Sequence, residues 1–212
     1  MNGKVSLIDF SAIFVAVDGN RSVEPLDAAD LEICHDSNPK IARSICELID
    51  GVLVEKAMAT FEALVAGLLL TFINNHLADH DLGIALPPDG LLRLFPGRVR
   101  APDVSFISWK RMPNSELPDE AIASLTPDLA VEVLSTTNTP AEIRMKIEEY
   151  FQAGSKLVWI VDPNARTVRV YTSPRRSVLL TEEDTLDGRK VLPGFSLPIR
   201  EWFARASRRA RR

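Results

Sequence analysis

Leu129-Ala130-Val131-Glu132-Val133-Leu134, then Ser135-Thr136-Thr137-Asn138, then Thr139-Pro140-Ala141-Glu142, is the stretch on which the fold turns. The first run is apolar apart from Glu132, has strand length, and is bounded by Pro127 and a polar run, so it reads as a central strand. Thr139, Pro140 and Glu142 fill the N-cap, first and third positions of a helix in a capping-box pattern, and Gly154 ends it. Another buried strand follows over 157–161, a turn at Asp162-Pro163-Asn164, and a return strand over 167–171. The class is α/β, in the mixed α+β sense, and 212 residues suffice for one such domain with a real core.

Upstream, 46–49 and 52–55 flank Asp50-Gly51, the signature of a tight hairpin between two short strands. Apolar residues at Met58, Phe61, Leu64, Val65, Leu68, Leu69 and Phe72 then recur at helical spacing and predict a helix over 57–76. Short strands near 82–86, 91–95 and 104–107, broken by Pro87-Pro88, Pro96-Gly97 and Ala101-Pro102-Asp103, read as a meander. The proline-bearing stretch 112–127 reads as an ordered loop with one helical turn. Downstream, strands near Val178 and Val191 precede a closing helix from Pro198. Residues 1–40 read as an N-terminal extension with a short helix over 26–34, residues 41–204 as the domain, and 205–212 as a basic tail.

A hydrophobic share of 46% and a charged share of 25% are those of a globular chain, not a disordered or fibrous one. The most apolar stretch, 64–73, is shorter than the ~20 residues a bilayer requires. No secretion signal is read at the start, so the expected location is cytoplasmic, with Cys34 and Cys46 reduced although they are able in principle to pair. Net charge is −4, yet six arginines against Glu201 give residues 200–212 a charge of +5 and leave −9 for the rest. A second basic group, Arg93, Arg98, Arg100, Lys110 and Arg111, surrounds Asp103. It reads either as a surface for a polyanion or as a solvated loop face.

A carboxylate inside an apolar strand is costly unless it is paired or binds a metal, which singles out Glu132. The competing reading leaves it in water on a half-exposed strand. Asp103 opens the strand at 104–107, and two carboxylates from neighbouring strands suit a magnesium ion, which takes hard oxygen ligands and keeps water and phosphate in its remaining positions. Lys146 lies at the edge of the apolar arc formed by Ile143, Ile147, Tyr150 and Phe151, where it either reaches the acidic face or covers apolar surface with its stem. His76 and His80 have the spacing of a helical metal pair without an apparent third ligand. No glycine-rich phosphate loop or nucleophile elbow is present.

Pro102-Asp103-Val104-Ser105-Phe106-Ile107, Pro127 to Ser135 and Lys146 to Gly154 together resemble the Uma-type restriction-endonuclease family, in order and in spacing. The hairpin at 46–51, the strand pair opened by Val158-Trp159-Ile160-Val161-Asp162-Pro163 and the ending Leu192-Pro193-Gly194-Phe195 extend the resemblance from about residue 44 to 203. It implies a PD-(D/E)XK nuclease core, a curved mixed β-sheet flanked by helices, acting as a metal-dependent endodeoxyribonuclease. Asp103 and Glu132 would hold Mg²⁺ or Mn²⁺, and Lys146 would assist the attacking water. The generic pattern has its lysine two residues after the second acid, where this chain has Leu134; Lys146 matches the displaced lysine of Uma-type sequences. Glu47 and Ser135 are supporting candidates, while Arg98, Arg100, Lys110 and Arg111 are candidates for DNA contact. DNA is the implied partner and a homodimer the implied assembly. The alternative is a catalytically silent DNA-binding or scaffold protein that retains the nuclease fold.

Overall fold

The computed structural model describes residues 45–56, 58–120 and 122–207. The expected extension helix, Cys34 and the last five residues of the basic tail lie outside them.

The chain opens with the hairpin β1 (Cys46–Ile49) and β2 (Val52–Glu55), paired from Cys46↔Glu55 to Ile49↔Val52. Asp50 and Gly51 form the turn with φ of 50° and 77°, the two positive angles that match a tight turn to strand twist. The Lys56 N–H extends the ladder to the Ile45 carbonyl, which keeps the chain extended beyond β2. Helix α1 accordingly runs over Thr60–Asp79, three residues later at each end than the apolar spacing predicts.

Strands β3 (Gly83–Leu86), β4 (Leu92–Phe95), β5 (Arg98–Arg100) and β6 (Val104–Ser108) follow. They are not the expected meander. β4 and β5 complete a four-stranded sheet in the order β2-β1-β5-β4, whereas β3 pairs with β6 in a separate six-stranded sheet. Sequence reading missed β5 because two of its three residues are arginines, yet all three are buried. The loop after β6 carries two 3₁₀ turns, Trp109–Arg111 and Pro113–Ser115, where one helical turn is expected.

The decisive stretch forms β7 (Leu129–Val133), α2 (Pro140–Ala153) and β8 (Leu157–Asp162). Strands β9 (Thr167–Ser173) and β10 (Arg176–Leu180) extend the larger sheet to the order β10-β9-β8-β7-β6-β3. Only β7 and β8 are parallel there, because α2 carries the chain back between them. β11 (Thr185–Gly188) and β12 (Leu192–Pro198) form a separate pair ahead of the closing helix α3 (Ile199–Ala206).

Alternation divides the larger sheet into two apolar faces. Val104, Phe106, Leu129, Val131, Val133 and Trp159 pack with α1, α3 and β12; Ile107, Ala130, Val158 and Ile160 pack with α2 and β4. By length and composition α1 would suffice for a membrane span, but Val65, Ala66, Leu69 and Ile73 bury one side of it in the first face. The Trp202 indole N–H, on α3, donates to the Val65 carbonyl at 3.0 Å and ties the two helices together. Glu132 shares the second face with Ala130, beneath α2.

The predicted capping box is present: Thr139 accepts from the Glu142 N–H, and the Glu142 carboxylate accepts from the Thr139 N–H. Gly154 ends α2 with φ of 103°. Thr139→Ala is expected to lower stability by about 1 kcal/mol, measured by denaturant titration, with β-sheet circular dichroism unchanged.

Candidate active site

The larger sheet and α2 meet over Glu132. Lys146 and Tyr150, one helical turn apart, take one carboxylate oxygen each: Lys146 Nζ lies 3.0 Å from Oε2, and the Tyr150 hydroxyl donates to Oε1. Lys146 also lies 3.6 Å from Glu47 Oε1, contributed by β1. The second sheet thus reaches the same point as α2.

Asp103 approaches from β6. Its N–H donates to the Val131 carbonyl at 2.9 Å, and its Oδ2 accepts from the Val133 N–H at 2.6 Å, so it bridges the residues on either side of Glu132. Its other oxygen, Oδ1, faces the Lys56 ammonium at 2.7 Å and is otherwise without a hydrogen-bond partner. Lys56 donates as well to the Ala101 carbonyl. Glu47 is fixed by Arg100 Nη1 at 2.7 Å and by the Ala101 N–H at 3.1 Å. Arg100 continues to Glu149 through Nε and Nη2 at 2.7 and 2.6 Å, and Arg98 Nε lies 3.3 Å from Glu149 Oε1.

The result is a buried charge cluster in which Glu47, Asp103, Glu132 and Glu149 face Lys56, Arg98, Arg100 and Lys146. Burial raises Asp103 above the ordinary carboxylate range, Lys56 offsets part of this, and the Glu132 charge adds to the rise. Burial also pushes Glu132 upward, but the ammonium ions of Lys146 and Lys56 and the Tyr150 hydrogen bond outweigh it and hold Glu132 low. Burial alone would lower Lys146; Glu132 and Glu47 instead hold its proton more tightly than usual. The two acids are therefore driven apart in proton affinity, and Lys146 is kept cationic.

The DNA-contact candidates fare differently. Arg98 and Arg100 are 7% and 1% exposed and are spent on Glu149 and Glu47, which corrects the expectation that they face a phosphate backbone. Arg111 is tied to Asp128 at 2.8 Å and to the Gly154 carbonyl, while Lys110 is exposed. Ser135 braces the loop before α2 through Thr137 and Asn138 and makes no bond to either acid. The rings of His76 and His80 stack at 4.3 Å, and His76 Nε2 lies 3.1 Å from the Pro193 carbonyl.

Sequence reasoning missed Lys56, Tyr150, Glu149 and the structural roles of the two arginines. A usable signal was the helical spacing Lys146, Glu149, Tyr150, which sets two more polar groups on the turn above Glu132. Lys56 carries no comparable local mark.

No three His, Cys, Asp or Glu side chains among the described residues form a ready-made metal cage. Two carboxylates with an under-bonded buried oxygen nevertheless fit Mg²⁺ or Mn²⁺, ions that keep part of their water shell. Asp103 and Glu132 are the donors such an ion would take.

The cluster lies on a mixed sheet with α2 across one face and α1 and α3 across the other. The Uma2 family model, described as "Putative restriction endonuclease", matches residues 36–200, and the chain belongs to this family. The fold is also similar to the crystal structure of "a putative nuclease belonging to DUF820" from Anabaena variabilis ATCC 29413, with a TM-score of 0.67, 21% identity, and coverage of 76% of this chain and 90% of that one. No protein of curated function matches the sequence.

Glu149→Leu would leave Arg100 and Arg98 buried with too little negative charge, and is expected to cost about 3–5 kcal/mol in denaturant unfolding. Asp128 supplies a pH test. Burial works upward on it, but Lys156, Ser108 and Arg111 hold it at about 2. A carboxylate lowered in the folded state stabilises above its unfolded value, and that contribution fades as pH falls through the folded one. The stability gap between wild type and Asp128→Asn should therefore narrow from pH 4 toward pH 2.

Proposed function

We propose that this protein is a divalent-metal-dependent endodeoxyribonuclease that hydrolyses DNA phosphodiester bonds. This reading is supported by Glu132 paired with Lys146, and by Asp103 bonded to the Val131 and Val133 backbone on either side of Glu132, within a chain of the restriction-endonuclease family. A bound Mg²⁺ or Mn²⁺ would polarise the phosphate and make its coordinated water a better nucleophile. Asp103 and Glu132 would hold the ion. Tyr150 keeps Glu132 oriented through its Oε1.

Lys146 is held protonated by Glu132 and Glu47, so its part is to stabilise negative charge on the phosphate and orient the attacking water, not to remove its proton. Glu47 supports the site by steadying Lys146 from the second sheet. With Arg98 and Arg100 committed internally, backbone contact falls to exposed cations such as Lys110 and to the arginines that close the chain. Two copies in a homodimer would present two such sites to the two strands of a duplex.

Supercoiled plasmid incubated with Mg²⁺ or Mn²⁺ tests this. Wild type is expected to nick or linearise it, with loss of cleavage in chelator. Asp103→Asn and Glu132→Gln are expected to lose at least about 10²-fold in rate, with Lys146→Met comparably impaired. Equal cleavage by all four proteins would reject the mechanism and indicate a contaminant. Salt-sensitive DNA binding without cleavage by pure wild type would instead support the silent DNA-binding alternative.

A further inference from the structure

The Lys56 ammonium sits at the one oxygen of the acid pair that lacks a hydrogen bond. It lies 2.7 Å from Asp103 Oδ1, with side-chain exposures of 10% and 4%, and is steadied by the Ala101 carbonyl. Its position is set by the main chain, because the Lys56 N–H continues the hairpin ladder to Ile45. Four buried carboxylates already meet four cations in the cluster, and exposed Asp50 touches Arg98 at its edge. Adding a dication to the acid pair brings two uncompensated positive charges into a buried site, an excess halved when one cation withdraws.

Lys146, Arg98 and Arg100 cannot easily supply that withdrawal. Each is locked between two carboxylates: Lys146 by Glu132 and Glu47, Arg98 by Asp50 and Glu149, Arg100 by Glu47 and Glu149. Lys56 has one carboxylate partner, a flexible four-carbon stem and the most exposure of the four.

We propose that Lys56 is a resident counter-ion of the Asp103–Glu132 pair, one that a divalent cation displaces when it binds. Lys56 holds the acids together in the metal-free protein and competes for their oxygens, so it sets the affinity of the site. This inference rests on reading Asp103 and Glu132 as metal ligands.

Mn²⁺ titration of the full chain, followed by calorimetry and by the electron paramagnetic resonance signal of free Mn²⁺, compares wild type with Lys56→Met and Asp103→Asn at pH 8. Lys56→Met is expected to bind Mn²⁺ at least about fivefold more tightly than wild type, and Asp103→Asn at least about tenfold more weakly, equivalent to about 1.4 kcal/mol. Weakened binding by Asp103→Asn together with unchanged or weaker binding by Lys56→Met would overturn the role of Lys56 and leave the metal reading standing. Unchanged binding by Asp103→Asn, or no binding by wild type, would remove both. A second measurement uses wild type alone and stands even if Lys56→Met does not fold. Under brief acetylation read by peptide mass spectrometry, Lys56 should react several-fold faster in saturating Mn²⁺ than without it, while exposed Lys110 stays constant. An unchanged or slower Lys56 rate would reject displacement.

Discussion

Charge neutrality in a space closed to water governs this molecule. An isolated ion moved into a protein interior loses several kcal/mol of solvation, so four buried carboxylates persist only because three buried cations and the partly buried Lys56 meet them. The cluster draws on β1, the end of β2, β5, the start of β6, β7 and α2, and no one of these elements satisfies its own charges. The acids of the candidate site are the end members of this structural network, and the lysines paired with them, Lys56 and Lys146, also work to lower their proton affinities.

That arrangement separates two jobs that composition alone merges. Arg98 and Arg100 stand near Asp103 in sequence and look like a basic surface, but alternation along β5 and the acidic turn of α2 take them inward. Lys146, by contrast, is neither a surface lysine nor a free base; clamped by Glu132 and Glu47, it is a fixed positive charge where α2, β7 and β1 meet.

How much was legible depended on whether the signal was local. The Asp50-Gly51 turn, the Thr139 capping box, the Gly154 stop and the apolar runs of β7 and β8 are short-range devices, and the structure contains each of them. Glu132 was visible as an acid out of place in an apolar strand, and Asp103 through its motif. What remained hidden was long-range. The division of four short strands between two sheets depends on pairings that no local pattern specifies, such as Leu48↔Val99 and Ala85↔Phe106. Lys56 looks like an ordinary charge between a hairpin and a helix, and gains meaning only when Asp103, 47 residues on, folds against it. The late start of α1 has a related origin, since Lys56, just ahead of the expected first turn, is bonded to Ile45 in the hairpin ladder.

The bridging of Arg100 between Glu47 and Glu149 bears on how the chain assembles. Those two acids are separated by most of the described sequence, one on the first strand and the other on a helix that forms beside β7. A partly folded chain in which the four-stranded sheet has docked without α2, or α2 without that sheet, would hold bare charge in a desolvated crevice. Such intermediates are lifted in free energy, and the two sheets are compelled to close on one another in a single concerted event. Cooperativity here is an electrostatic property as much as a hydrophobic one.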